Sequence, residues 1–204
     1  MSTDRYRLVL VEGKYFYAFD KPVPQIQIAI LKDTWGSPIA SLTPLEFEKL
    51  QVPMGDVGEI CVTGDHVLKG YLNGTGNAET KICVGDVTWH RTGDAGYLDT
   101  THRLWLLGRC SARITDKEGT LYPFTAECIA QTFSFIHRSA YLEVASKRIL
   151  ALEYLYPPSD SELLSLGNAL KSISISHAIR LTKIPVDKRH NAKVDYPALR
   201  KILE

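Results

Sequence analysis

An acid and an arginine within residues 89–109 have side chains that could hold a ribose and a phosphate. Asp94 ends a Thr-Gly-Asp sequence that predicts a tight turn, where a carboxylate could accept two hydrogen bonds from a diol. Arg109 follows a short apolar strand, and a guanidinium at a strand end can bind a phosphate or carboxylate through two parallel hydrogen bonds. Because Asp and Gly are also common turn residues, a purely structural role stays open.

The most basic stretch of the chain, residues 183–193, is a second candidate for anion binding. It reads Lys-Ile-Pro-Val-Asp-Lys-Arg-His-Asn-Ala-Lys, which predicts a polar loop. Runs of charge are usually solvated, so an exposed charged turn is the simpler interpretation. If one residue acts chemically, Lys193 is the best candidate, because a mobile ammonium can follow charge that develops on a phosphate and a carboxylate during acyl transfer.

Cysteine and histidine form no recognisable metal or redox pattern. The 4 cysteines are widely spaced without a Cys-x-x-Cys, which predicts reduced thiols that serve as packing residues. The 6 histidines show neither metal-ligand spacing nor the order of a catalytic triad, so we expect structural roles for them. Glu127, in a predicted helix, could be exposed or could cap that helix, and the sequence does not decide between the two.

The composition is that of an ordinary globular chain. Of its 204 residues 45% are hydrophobic and 23% are charged, and the net charge of +1 predicts neither a nucleic-acid partner nor binding to an anionic membrane. No apolar run approaches the ~20 residues that span a bilayer, so no transmembrane segment is expected. The first residues are polar and charged rather than a signal peptide, which predicts a cytoplasmic protein.

Short β-rich runs and frequent turns dominate the chain up to Gly108. The residue pattern predicts strands at 7–11, 15–19, 25–31, 59–63, 67–71 and 104–107, with a helical turn at 44–50. A second turn is expected at 99–102, between Asp94 and the strand that leads to Arg109. We therefore expect residues 1–108 to form a small β-barrel-like or sandwich-like subdomain.

After Arg109, strands alternate with helices. The predicted elements are a hairpin at 113–122, a helix at 123–135, strands at 139–144 and 148–154, a helix at 162–173, a strand at 178–184 and a helix at 197–203. This alternation predicts a small α+β domain over residues 109–204, a normal size for an independent unit. The predicted fold class of the whole chain is therefore α+β.

Several motifs in this order resemble those of one enzyme superfamily. They are Gly58-Glu59-Ile60, Gly70-Tyr71-Leu72, Trp89-His90-Arg91-Thr92-Gly93-Asp94-Ala95-Gly96-Tyr97, Gly108-Arg109 and Asn191-Ala192-Lys193-Val194-Asp195. From Lys21 to Leu203 the chain resembles the later part of the acyl-adenylate-forming superfamily of AMP-dependent synthetases and ligases. Within that superfamily, residues 89–94, 119–122 and 185–193 resemble the fatty-acid-CoA-ligase-like β-lactone synthetases of bacterial olefin biosynthesis.

The resemblance implies a role for each candidate residue. Asp94 would hold the ribose hydroxyls of ATP or AMP, and Arg109 would contact ribose or phosphate near the domain boundary. Ser111 would lie at the hinge, where most relatives carry Asp or Lys. Lys193 would reach from a mobile C-terminal lid domain to the α-phosphate and the substrate carboxylate, and would leave when that domain rotates for the second half-reaction.

Two motifs of the superfamily have no counterpart in this sequence. One is the Ser/Thr/Gly-rich pyrophosphate loop that ends in Lys, and the other is Tyr-Gly-x-Thr-Glu, whose Glu helps to hold Mg²⁺. The resemblance therefore implies the C-terminal fragment of an ATP-dependent acyl-activating enzyme, inactive alone and without a Mg²⁺ ligand of its own. The complete enzyme would use ATP and Mg²⁺ to convert a carboxylic acid, expected to be a fatty acid, to an acyl-adenylate. It would then form a thioester with coenzyme A, or a β-lactone.

A non-catalytic role is the alternative. The chain could supply the lid domain to a separate N-terminal half, or regulate such a half, without completing an active site itself. Whether the chain is an enzyme in its own right therefore stays open at the level of the sequence.

Overall fold

The computed structural model describes residues 6–11, 14–19, 23–117, 119–187 and 193–204. They form two compact units, the first built mainly from residues 17–111 and the second mainly from residues 112–204. Each unit combines helices with sheets, so the predicted mixture of the two is confirmed.

The larger sheet contains seven of the described strands. They are β1 (Tyr6–Val11), β2 (Lys14–Phe19), β3 (Gln27–Leu31), β4 (Gly58–Thr63), β5 (Lys81–Val84), β6 (Val87–Leu98) and β7 (Leu104–Arg109). Their order is β1-β2-β7-β6-β4-β3, and β5 pairs separately with β6. The two end strands of this path do not pair with each other within the described residues, so the predicted barrel-like closure is not confirmed.

Helix α1 (Pro44–Leu50) covers part of this sheet, as the prediction of a helical turn at 44–50 expected. It begins with a capping box, in which the Thr43 hydroxyl accepts from the Glu46 N–H and the Glu46 carboxylate accepts from the Thr43 N–H. Its buried Phe47 packs against Trp89, with 4.7 Å between the ring centroids. A shorter helix, α2 (Asn77–Thr80), leads into β5.

The turn that joins β6 to β7 is built around Asp99, which confirms the turn predicted at 99–102. The Asp99 carboxylate accepts hydrogen bonds from the Thr101 N–H at 2.8 Å and from the Trp105 indole N–H at 2.8 Å. Although burial raises it, the hydrogen bonds from Trp105, Thr101 and Arg103 hold the pKa of Asp99 well below its usual range. These hydrogen bonds join residues on both sides of the turn to one carboxylate.

Two parts of the first unit differ from the sequence prediction. The strand predicted at 67–71 is wrong, because this segment forms bends and turns. One of its carbonyls, that of Leu68, accepts a hydrogen bond from the Lys81 ammonium instead of from a strand partner. The sequence analysis also missed β5 and β6. β6 was missed because it contains Gly93, Gly96 and several polar residues, and does not alternate like a half-buried strand.

The second unit contains a small hairpin and a three-stranded sheet covered by helices. Its elements are β8 (Ile114–Asp116), β9 (Gly119–Leu121), α3 (Phe124–Ala130), β10 (Ile136–Val144), β11 (Lys147–Tyr154), α4 (Asp160–Ala169), β12 (His177–Leu181) and α5 (Tyr196–Leu203). β10 and β11 pair antiparallel, and β12 pairs parallel to β11. The predicted elements of this part are confirmed, although the two long helices and the last strand end earlier than predicted.

Both faces of the antiparallel pair β10 and β11 are buried, because alternate residues of a strand point to opposite sides. One face packs with α3 and α4 through Ile129, Tyr141, Leu150, Leu152 and Leu166. The other packs with α5 through Ala140, Leu142, Ile149, Ala151 and Leu199. Among the described helices, none combines the length and the apolar character that crossing a membrane requires.

Candidate functional site

The structure brings Asp94 and Arg109 together in the first unit. They are direct partners in the antiparallel pairing of β6 with β7. The Arg109 Nε lies 3.1 Å from the Asp94 Oδ1, and the Arg109 Nη1 donates to the Thr92 carbonyl oxygen at 3.1 Å. Both side chains are partly open to solvent, with 32% of Asp94 and 39% of Arg109 exposed. A ligand with hydroxyl or phosphate groups could therefore reach both.

The strand around Asp94 contains a bulge, so the tight turn predicted from Thr-Gly-Asp is wrong. Glu59 of β4 pairs with Ala95 of β6, and Cys61 pairs with Arg91. Two steps along β4 therefore correspond to four along β6, which leaves extra residues on β6. Gly93 takes a φ of 69°, in the left-handed region that favours glycine. A bulge changes the direction of the side chains beside it, and the Asp94 carboxylate is one of these.

A buried ion pair lies next to this bulge. The side chains of Arg91 and Glu59 are both 0% exposed, and the Arg91 Nη2 lies 2.6 Å from the Glu59 Oε2. The Arg91 Nε also donates to this carboxylate at 3.0 Å, and the Nη1 donates to the Ser37 carbonyl oxygen at 2.7 Å. Burial raises the pKa of Glu59, while the Arg91 guanidinium and the Gly93 N–H oppose that rise. The pair ties β4, the segment after β3 and the bulge together.

An indole ring packs against the same bulge. The Arg91 guanidinium lies 5.4 Å from the centroid of the Trp35 ring, and a Cβ at Gly93 would come within 2.9 Å of that ring. The Asp33 carboxylate accepts from the Trp35 N–H at 2.9 Å, which holds the backbone of this segment. The indole therefore packs against the bulge, and a hydrogen bond holds the segment that carries this indole.

The cysteine beside Arg109 does not supply a nucleophile. Cys110 is fully buried, and this burial together with the charges of Asp33 and Glu59 raises the pKa of its thiol. All four cysteines lie in the described part of the chain, and none forms a disulfide. The described residues also contain no group of three or more His, Cys, Asp or Glu that could hold a metal ion.

Ser111, the predicted hinge residue, follows directly after β7 and Cys110. It is exposed and lies in a single 3₁₀ turn, Cys110–Ala112. This turn lies where the residues of the first unit end and those of the second begin.

Lys193 lies in the second unit, in the loop between β12 and α5. Its side chain is exposed, and the residues at 188–192 of the predicted basic loop lie outside the described part of the chain. The two stems of the loop meet at a bridge between Val186 and Val194. The Asp187 N–H donates to the Lys193 carbonyl oxygen at 2.9 Å, and the Asp195 N–H donates to the Pro185 carbonyl oxygen at 2.9 Å.

The sequence left Glu127 undecided between an exposed and a capping residue, and the structure shows neither. Glu127 is buried, and its Oε1 accepts from the Tyr196 hydroxyl at 2.6 Å and from the Tyr141 N–H at 2.8 Å. Burial raises its pKa to about 7, although both hydrogen bonds oppose the rise. The neighbours Ala126 and Cys128 are small and buried, and they were the available signal that this part of α3 faces the core.

Comparison with known proteins gives two groups of relatives, although no protein-family model matches the chain. It is 33% identical over 159 residues to the olefin β-lactone synthetase of Stenotrophomonas maltophilia, a match that covers 69% of this chain and 28% of that protein. It is 31% identical over 158 residues to the enzyme of the same name from Xanthomonas campestris, with the same two coverages. It is also 32% identical over 111 residues, 54% of this chain, to the 2-succinylbenzoate–CoA ligase of Enterococcus faecalis, of which the match covers 22%.

Solved structures show the same fold. The amide bond synthetase of Marinactinospora thermotolerans superimposes with a TM-score of 0.68 over 92% of this chain and 36% of its own, at 20% identity. The O-succinylbenzoate coenzyme A synthetase of Bacillus subtilis, in complex with AMP, gives a TM-score of 0.67 over 92% of this chain and 35% of its own, at 23% identity. The chain therefore matches only about a third of the length of these proteins.

Proposed function

Because this chain belongs to the acyl-adenylate-forming superfamily of AMP-dependent synthetases and ligases, we propose that it forms the C-terminal portion of an ATP-dependent acyl-activating site. The observation that carries the proposal is the Asp94–Arg109 pair, held on neighbouring strands and partly open to solvent. Its residues belong to the motifs on which the resemblance to this superfamily rests.

The chemistry of the pair suits a nucleotide. A carboxylate accepts hydrogen bonds from two adjacent hydroxyls, and we assign this role toward the ribose of ATP or AMP to Asp94. A guanidinium binds phosphate oxygens with directed N–H groups, and we assign the contact to phosphate or ribose to Arg109. Since Arg109 pairs with Asp94, the nucleotide would exchange part of this ion pair for its own hydrogen bonds.

Lys193 supplies the charge for the chemical step in this proposal. A carboxylate oxygen of the acid substrate attacks the α-phosphorus, the bond to the β-phosphate breaks, and pyrophosphate leaves with the negative charge. An ammonium near the α-phosphate and the attacking carboxylate stabilises this transition state. Lys193 is exposed, and we assign to Ser111 the hinge about which the lysine would approach and leave the substrate.

The acid substrate and the second step follow from the resemblance. Two relatives are named olefin β-lactone synthetases, and a β-lactone forms when the hydroxyl of a β-hydroxy acyl-adenylate loses its proton and attacks the activated carbonyl as AMP leaves. That the acid is a fatty acid is what the resemblance implies. A thioester with coenzyme A is the other product in this superfamily. The triphosphate cradle and the Mg²⁺ ligands would come from the part of the relatives that this chain does not match.

Complementation tests the proposal. This chain is mixed with a fragment of the Stenotrophomonas maltophilia relative that carries the residues before the matched stretch, and ATP–pyrophosphate exchange is measured with 3-hydroxydecanoic acid. We expect exchange in the mixture above that of either part, lost in Lys193→Ala and retained in Lys183→Ala, a control lysine exposed in the same loop. No gain in the mixture, together with no binding of AMP by this chain in calorimetry, would contradict an acyl-activating role.

The same exchange assay, repeated with the complete Stenotrophomonas maltophilia enzyme, distinguishes a purely regulatory role. A chain that only regulates a relative would change the exchange rate of that complete enzyme, and Lys193→Ala would leave the effect unchanged. A chain that supplies a working lid would lose its effect in the same variant.

A further inference from the structure

We infer that Glu127 and Glu153, two buried carboxylates of the second unit, are positioning residues that anchor the two stems of the Lys193 loop. The inference rests on the proposed function in one respect, which is that Lys193 acts on the substrate. The anchoring itself depends only on contacts within the second unit.

Glu127 holds the stem that follows Lys193. Tyr196 is the first residue of α5, and its hydroxyl donates to the Glu127 Oε1 at 2.6 Å. The same oxygen accepts from the Tyr141 N–H of β10 at 2.8 Å, so the contact joins α3, β10 and the start of α5. Glu127 is 7% exposed, and burial raises its pKa to about 7.

Glu153 holds the stem that precedes the loop. Its Oε2 accepts from the Ile184 N–H at 2.7 Å, and both residues are buried. Two further groups in the described part of the chain face this carboxylate, His137 with its Nε2 3.6 Å from Oε1 and Arg138 with its Nη1 4.0 Å from Oε2. Glu153 lies on β11, so this stem is fixed to the central strand of the sheet.

The two anchored stems are also bonded to each other. The bridge between Val186 and Val194 and the hydrogen bond from Asp195 to Pro185 close the base of the loop. Lys193 lies at this base, next to Val194, whose backbone cannot move without breaking the bridge to Val186. The freedom of the ammonium is then that of its side chain, which lowers the ordering cost of placing it against a substrate.

A role in stability alone does not explain why both anchors are carboxylates. A buried carboxylate costs free energy that apolar side chains of similar size would not, even when it is hydrogen-bonded. In return each carboxylate fixes a donor at a defined distance and direction, which an apolar contact does not. Two such groups at the two stems of the same loop therefore point to placement of that loop.

Amide hydrogen exchange of the full 204-residue chain tests the anchoring. In Tyr196→Phe we expect the protection of the Asp187 and Asp195 amides to fall about tenfold or more, the loss typical of a hydrogen bond to a buried charged group. Tyr141→Phe is the matched control, because it removes a buried phenol that donates at 2.6 Å to the Ser174 carbonyl oxygen rather than to Glu127, and it keeps the Tyr141 N–H that donates to Glu127. It should lower the protection of the sheet without the selective loss at Asp187 and Asp195.

Two variants of the anchor itself sharpen the test. Glu127→Gln keeps an acceptor for Tyr196 and should keep protection at the loop base near that of the wild type. Glu127→Met fills a similar volume without an acceptor and should lower it, and Tyr196→Phe gives the result if the Met variant does not fold. Equal loss in Tyr196→Phe and Tyr141→Phe, or no loss in Tyr196→Phe, would overturn the inference.

The complementation mixture adds the catalytic readout. Tyr196→Phe should lower the rate constant of ATP–pyrophosphate exchange about tenfold without raising the KM for ATP, because the anchored lysine acts on the transition state. A higher KM at an unchanged rate constant would overturn the positioning role. If the wild-type mixture shows no exchange at all, the proposed function fails, and the amide exchange still decides whether the loop is anchored.

Discussion

The buried pair of Arg91 and Glu59 leads to a prediction about stability. Replacing Glu59 should destabilise the protein when Arg91 is present and stabilise it when Arg91 is absent. Replacing Arg91 by Met removes the guanidinium but leaves a carboxylate that is 0% exposed. Breaking a buried ion pair on one side typically costs about 3–5 kcal/mol, because the remaining charge is uncompensated. We expect Arg91→Met to lower the free energy of unfolding of the first unit by about that amount at pH 8.

Adding Glu59→Gln should then have opposite effects in the two backgrounds. In the wild type it leaves the buried Arg91 cation with a neutral partner and should destabilise. In Arg91→Met it removes the uncompensated charge and keeps an acceptor for the Gly93 N–H, so it should recover about 2 kcal/mol. This reversal distinguishes an ion pair from two independent polar residues, whose effects would add.

The pH dependence follows from the same pair. Arg91 opposes the rise in the pKa of Glu59 that burial causes. Without Arg91, this pKa should rise further above its ordinary 4.5. The folded state then keeps a proton that the unfolded state releases, and stability falls as the pH increases above 4.5. The cost of Arg91→Met should therefore be smaller at pH 5 than at pH 8.

Urea unfolding followed by tryptophan fluorescence measures these values. All 3 tryptophans of the chain, Trp35, Trp89 and Trp105, lie in the first unit, so the signal reports on that unit. Arg103→Met is the control, because this arginine is 47% exposed and its ion pair with Asp99 should contribute less than about 1 kcal/mol. The reasoning is refuted if Glu59→Gln has the same effect in both backgrounds, or if Arg91→Met costs no more than the control.

Three further predictions concern the nucleotide pair, the bulge and the buried acid. Asp94→Asn should weaken binding of AMP about tenfold in calorimetry, with the exposed Asp86→Asn as control, and equal affinity would argue against a ribose contact. Gly93→Ala should lower the free energy of unfolding by more than about 2 kcal/mol in urea, because alanine is strained at a positive φ and its Cβ would clash with the Trp35 ring. Gly85→Ala, with a φ of 55° and open space around it, should cost less, and equal costs would remove the indole from the explanation. Because the pKa of Glu127 is raised to about 7, stability should fall between pH 4.5 and pH 7, by on the order of 3 kcal/mol, and stay level above. Glu127→Gln should remove this dependence in unfolding followed by circular dichroism, and an unchanged pH profile would show that another group causes it.

Local sequence patterns predicted most of the second unit because its elements have strong local signals. The strands β10 and β11 are apolar runs around a short turn, and α4 carries Leu163, Leu164 and Leu166 at helical spacing. The first unit was less predictable, since β6 carries glycines and polar residues and becomes a strand through its pairing with β4, β5 and β7. Hydrogen bonds to neighbouring strands do not depend on the pattern along one strand.

By itself the sequence determined the residue types, their order and the turn at Asp99, and with these the motifs that identify the superfamily. It also singled out Asp94, Arg109, Ser111 and Lys193 as residues worth testing. Only the tertiary structure decided that Asp94 stands beside a bulge rather than in a turn, and that Arg109 is its direct partner across two strands. Only the structure placed Glu59 and Glu127 in the interior, because burial of a carboxylate depends on a donor that comes from a distant part of the chain.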